Sequence, residues 1–94
     1  MQPSLLILNS GSSSLKFALY AIEKSKLKRV FFGQIENLTE DPLFLVKNDQ
    51  GEKWDEQTVS LAKKSLTENY HLAFEFFLNW INQQKLPYQI CAAG

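Results

Sequence analysis

Three strand-like segments follow one another within the first 35 residues with almost no chain between them, and that brevity limits how they can be arranged. Residues 4–9, SLLILN, form a short apolar run ending in turn formers. Residues 14–21, SLKFALYA, alternate: Leu15, Phe17 and Leu19 fall on one side, and Ser14, Lys16, Ala18 and Tyr20 on the other. That is the period of a strand with one distinctly polar face. Residues 28–35 contain VFFGQI, rich in the β-branched and aromatic side chains that suit a pleated surface. Parallel neighbours need a crossover of about a dozen residues or more, so these short connections predict an antiparallel meander. The first segment, apolar throughout, is expected to be a central strand covered on both faces.

Further along, LFLVK reads as a strand, NDQG as a turn and EKW as a returning strand, which gives a hairpin insertion over residues 42–55. Pro42 stands at its start, where a missing amide donor is tolerated, and Trp54 reads as a packing anchor rather than a ligand platform. A helix is expected over 67–84, with Thr67 as N-cap, Glu68 in the first turn, and Lys85 and Pro87 at the exit. Tyr70, Ala73, Phe74, Phe77 and Ile81 share one face, and Phe76, Leu78 and Trp80 widen that stripe. So broad an arc suggests either self-association or a further stretch of chain to cover it. His71 and Glu75, one turn apart on the polar face, suit an exposed ion pair better than a catalytic dyad. Residues 88–93 read as a buried strand, and a chain that stops on such a strand is expected to be the first part of a longer one.

Composition removes several classes of function. Ten basic and ten acidic side chains cancel, which leaves no field of one sign to gather nucleic acid or an anionic membrane. The run Lys24, Lys26, Lys28 and Arg29 reads as a solvated hairpin end. The single Cys91 excludes an internal disulfide and reads as a small buried hydrophobe, in keeping with a reducing cytoplasm. Neither a signal-peptide core nor a run of roughly 18 apolar residues is present, so a cytoplasmic location is expected.

The stretch NSGSSSLK, residues 9–16, carries the chemistry. It lacks the second glycine and the Gly-Lys-Ser/Thr ending of a Walker loop, and a strand rather than a helix follows it, unlike a dinucleotide fingerprint. In an extended chain Ser12, Ser14 and Lys16 would project to one side. Two hydroxyls, nearby backbone amides and one ammonium suit the oxygens of a phosphoryl group, and Asn9 offers a neutral oxygen to a hard cation such as magnesium or to its bound water. The competing reading is plain: asparagine, glycine and serine make good turns, and Lys16 is a solvated charge.

LLILNSGSSSLKFALY resembles the opening of the acetate kinases, where an apolar strand is followed by Asn-Ala-Gly-Ser-Ser-Ser-Leu-Lys; here Ser10 replaces the alanine. The resemblance is close over residues 5–19 and looser through ENYHLAFEFF and the final ICAAG. It implies an α/β fold, the N-terminal part of an actin/hexokinase-like (ribonuclease H-like) domain, in which a three-strand antiparallel meander is followed by a helix and a parallel strand. It further implies that Asn9 serves magnesium or phosphate, Ser12 and Ser14 the phosphates, and Lys16 the charge of the transferring group. The implied partners are ATP/ADP and acetate/acetyl phosphate, with Mg2+ as cofactor and a homodimer as the full-length assembly. The resemblance does not assign a catalytic residue as such within these 94 residues, and the groups that choose among acetate, propionate and butyrate lie beyond Gly94. The segment alone is expected to be inactive.

Overall fold

In a computed structural model that describes residues 1–60 and 65–94, the chain forms β1 (Gln2–Ser10), β2 (Leu15–Glu23), β3 (Lys26–Glu36), β4 (Leu43–Asn48), β5 (Lys53–Thr58), α1 (Leu66–Gln84) and β6 (Tyr88–Ala93). These strands build one six-stranded sheet in the order β5-β4-β3-β2-β1-β6. Only β6 is parallel to its neighbour β1; the other pairings are antiparallel. The expected meander followed by a helix and a parallel strand is present, and the β4–β5 hairpin extends the meander instead of standing apart from it.

Alternation along β2 sets the core. Leu15, Phe17, Leu19 and Ala21 are buried beneath α1, while Lys16 is exposed on the opposite face. Phe17 lies across from Gly33 of β3, and a Cβ at Gly33 would sit 2.9 Å from its ring and collide with the Leu45 carbonyl. The missing side chain therefore lets the ring settle against the backbone of the next strand. Phe77 stacks on Phe17 at 4.1 Å between centroids, and Phe44 stacks at 5.7 Å. One aromatic ring thus joins β2, β3, β4 and the helix.

Trp80 is fully enclosed, not flanking, because β5 supplies it with a partner. Its Nε1 donates to Asp55 Oδ2 at 2.8 Å, and its ring meets those of Phe31, Phe44 and Trp54 at 5.4–5.9 Å. Phe76 packs against Phe44 as well. The β4–β5 hairpin thus takes up the Phe76 and Trp80 part of the broad apolar arc of α1, while Phe74, Leu78 and Ile81 are half-buried. Trp54 packs edge-on to Phe31 and Trp80 while remaining 38% exposed.

Turn chemistry closes the strands. Asn48 Oδ1 accepts from the amides of Gln50 and Glu52, and Gly51 takes a φ of +83°. Lys24 and Ser25 form a two-residue hairpin with φ of 47° and 67°, which places the basic run at an exposed tip as expected. The helix is capped by Ser65, not Thr67: Ser65 Oγ accepts from the Glu68 amide at 3.3 Å and donates to Glu68 Oε1 at 3.2 Å. Ser65-Leu-Thr-Glu68 has the capping-box sequence, with the Ser65 hydroxyl making both bonds, whereas Thr67 already lies inside the first turn. Lys85, in the left-handed region, ends the helix.

Two expectations about burial fail for a common reason. β1 buries Ser4 and Leu6 under the helix but leaves Ile7 37% exposed, because among the described residues only one face of the sheet is covered. β6, read as buried, is an exposed edge strand with Cys91 in the open, since α1 lies over the centre of the sheet and β6 pairs on one side only.

Gly33→Ala is expected to cost about 1–3 kcal/mol by overpacking against Phe17 and β4, measurable by urea denaturation. The Asp55 carboxyl is held below its ordinary value near 3.8, chiefly by the bond from Gln57 Nε2; burial opposes this next most strongly, and the bonds from Trp80 and the Glu56 amide add lesser lowering. A depressed carboxylate stabilises fully above its unfolded pKa and loses that contribution as pH falls through the folded value. Stability should therefore drop on acidification below about 3.8, with a shift in Trp emission, and Asp55→Asn should flatten that slope. An unchanged slope in the variant would remove Asp55 from the acid transition.

Candidate functional site

β1 and β2 are joined by residues 11–14, and the loop's backbone has a distinct polarity. The Gly11 carbonyl accepts from Tyr70 Oη on α1, the Ser13 carbonyl accepts from the Leu38 amide at 3.0 Å, and the Ser14 carbonyl accepts from the Gly11 amide at 2.9 Å. The amides of Ser12, Ser13 and Ser14 donate to no group among the described residues, and neither do the three hydroxyls. In a planar trans peptide the carbonyl and the following N–H point in opposite directions. Tying Gly11 and Ser13 inward therefore turns the Ser12 and Ser14 amides outward. With the Gly11, Ser13 and Ser14 carbonyls engaged and the three serine amides free, the loop has the polarity that suits an anion.

Gly11 and the Ser14 side chain share one small space. A Cβ there would lie 2.7 Å from Ser14 Oγ, so the serine hydroxyl occupies the room a side chain would need. Beneath the loop, Asn9 and Lys16 are direct cross-strand partners and share the uncovered face of the sheet. Lys16 lines two depressions there: one of about 130 Å3 with Ile7, Asn9 and Ala18, and one of about 400 Å3 with Phe32, Gln34, Leu45 and Lys47.

The structure thus brings Asn9 and Lys16 side by side, with the serine loop directly beyond them. It does not bring Ser12 into line with Lys16 by strand periodicity, because β1 ends at Ser10 and β2 begins at Leu15. The intervening residues bend, and period-2 alternation applies only to extended chain. Ser12 is exposed at the tip, whereas Ser14 is half-buried and folds back toward Gly11. What loop and strand share is an end of the sheet.

Two residues of this region escaped the sequence reading. Asn69 is 5% exposed within the core stripe formed with Ala73, Phe77 and Trp80; its Nδ2 donates to the Leu38 carbonyl at 2.8 Å, and its Oδ1 has no partner among the described residues. The available signal was a polar residue at an apolar position of the helical repeat. Tyr70 was read as part of that stripe, and nothing in the spacing reveals its hydroxyl bond. His71 and Glu75 form a solvent-exposed pair one helical turn apart at 3.0 Å, the surface pairing expected of them.

For a divalent cation the chain supplies little of its own. Among the described residues no three His, Cys, Asp or Glu side chains cluster, and Asn9 offers one neutral oxygen beside an ammonium. That fits contact with a magnesium ion already held by phosphates and water, the usual habit of this ion, and does not fit a protein cage. No helix among the described residues is long and apolar enough to cross a membrane.

A family model described as the acetokinase family matches residues 4–94, and the chain belongs to that family, one of kinase-type phosphotransferases. Its mixed α/β architecture is consistent with the N-terminal part of an actin/hexokinase-like domain. Comparison with curated proteins and with solved structures gives no match.

Gly11→Ala should displace only the flexible Ser14 side chain, so stability is expected to change by less than about 1 kcal/mol. The amide chemical shifts of Ser12–Ser14 should nevertheless move. Large destabilisation would mean that the loop's backbone, not the hydroxyl, fills the space.

Proposed function

We propose that this chain is the phosphate-binding part of an acetate kinase, which moves a phosphoryl group between ATP and acetate to give ADP and acetyl phosphate. Membership of the acetokinase family supports the kinase class, and the observation that carries the finer reading is the donor-rich loop with Lys16 beside it. In the forward direction a carboxylate oxygen of acetate attacks the γ-phosphorus. The bond from that phosphorus to the β–γ bridging oxygen breaks, and ADP leaves with the electron pair.

The amides and hydroxyls of Ser12 and Ser14 hold phosphate oxygens, and Lys16 opposes the charge that spreads over them in the transition state. Neither serine becomes phosphorylated. Asn9 would offer its amide oxygen to a magnesium ion, or to that ion's bound water. When bound, that ion neutralises phosphate charge, the remainder of what phosphoryl transfer requires being positioning. On this reading the acetate pocket and the adenosine site are supplied by family segments other than these 94 residues, which alone are expected not to turn over.

In a longer chain that carries the remaining family segments, Lys16→Ala should lower kcat for acetyl phosphate formation by about a hundredfold or more, with an unchanged circular dichroism spectrum. Wild-type kinetics would remove the phosphate role from Lys16. If propionate or butyrate is the better substrate in the same assay, the acyl assignment shifts while the transfer step stands. Tight magnesium-ATP binding by the 94-residue chain without turnover of any longer form would indicate a binding module instead.

A further inference from the structure

The helix face toward the core is built from phenylalanines at 74, 76 and 77, and its one tyrosine, Tyr70, stands where the serine loop passes. A phenylalanine would serve the packing equally well. What the tyrosine adds is a donor, and the Gly11 carbonyl is where it goes. We propose that Tyr70 is a positioning residue that presets the loop for anion binding by holding its backbone from behind; the anion is a phosphate, so this proposal rests on the reading above.

The adjoining residue continues the same work. Asn69 Nδ2 donates to the Leu38 carbonyl, and the Leu38 amide donates to the Ser13 carbonyl. Alternate carbonyls of the loop are thus tied to α1, one directly and one through the β3–β4 connection. Each bond has two effects. It fixes the peptide plane so that the following amide, Ser12 or Ser14, faces outward, and it polarises that peptide, which strengthens the outward N–H as a donor. The helix in turn is locked into the core by Phe77 on Phe17 and by Trp80 on Asp55. Through Tyr70 the loop borrows the rigidity of the core, and a loop already ordered loses less entropy on binding.

The test uses the 15N-labelled 94-residue chain and its Tyr70→Phe variant, with inorganic phosphate as the probe. Backbone relaxation of Ser12–Ser14 without ligand reports positioning directly, and phosphate-dependent shifts of the same amides report binding. The expected result is a variant that folds, a loop that becomes mobile on the picosecond to nanosecond timescale, and phosphate affinity lower by about fivefold. Lys16→Ala should weaken phosphate without loosening the loop, which separates charge from positioning. Unchanged loop order in Tyr70→Phe overturns the proposal whatever phosphate does, and so does failure to fold, since the hydroxyl would then be holding the core. A loosened loop together with no phosphate response in the wild-type chain supports positioning by Tyr70 and overturns the phosphate reading instead.

Discussion

The contact on which the structure most depends is the ring of Phe17 lying against the bare backbone of Gly33. Through it β2 and β3 present a common surface on which Phe77 and Phe44 stack, and the middle of α1 is seated there. The consequence reaches the opposite face. A buried Phe17 forces its neighbour Lys16 outward, because successive side chains of a strand point to opposite sides. The same aromatic ring that organises the core therefore decides which face of the sheet Lys16 stands on.

The loop beyond Lys16 is held by the same logic of opposed directions, transferred from side chains to peptides. Inward carbonyls make outward amides, and the groups that hold the carbonyls come from elements that Phe17 helps to fix. Core and site are in this sense one construction. A substitution that loosens α1 is felt at Gly11 through Tyr70 before any residue in contact with an anion has changed.

Local rules were legible in the sequence wherever the chain is regular or its turn chemistry explicit. β2 declared both of its faces, NDQG declared a turn, and Lys85 with Pro87 declared the end of the helix. The capping signature Ser65-x-x-Glu68 is equally explicit in the sequence and outweighs Thr67 as the N-cap. What could not be read is tertiary. The covered face of β1, the exposed edge at β6 and the enclosure of Trp80 by β5 all depend on which elements lie beside which, and an apolar run looks the same in either setting. For the candidate site, the pairing of Asn9 with Lys16 follows from two strands and a short turn, but the loop's arrangement does not. It rests on bonds from Tyr70 and Leu38, which are 59 and 25 residues away along the chain from their acceptors.

The pairing of β1 with β6 has a consequence for the order in which the chain acquires its shape. Every other strand pair joins neighbours in sequence, and each can zip from its own turn. β6 must find β1 across the whole molecule, Tyr88 opposite Gln2. Closing so long a loop costs entropy that nothing local repays in advance. The meander and helix are therefore expected to assemble first, with β6 arriving late, and the rate at which β6 docks sets the pace at which the two ends of the chain come together.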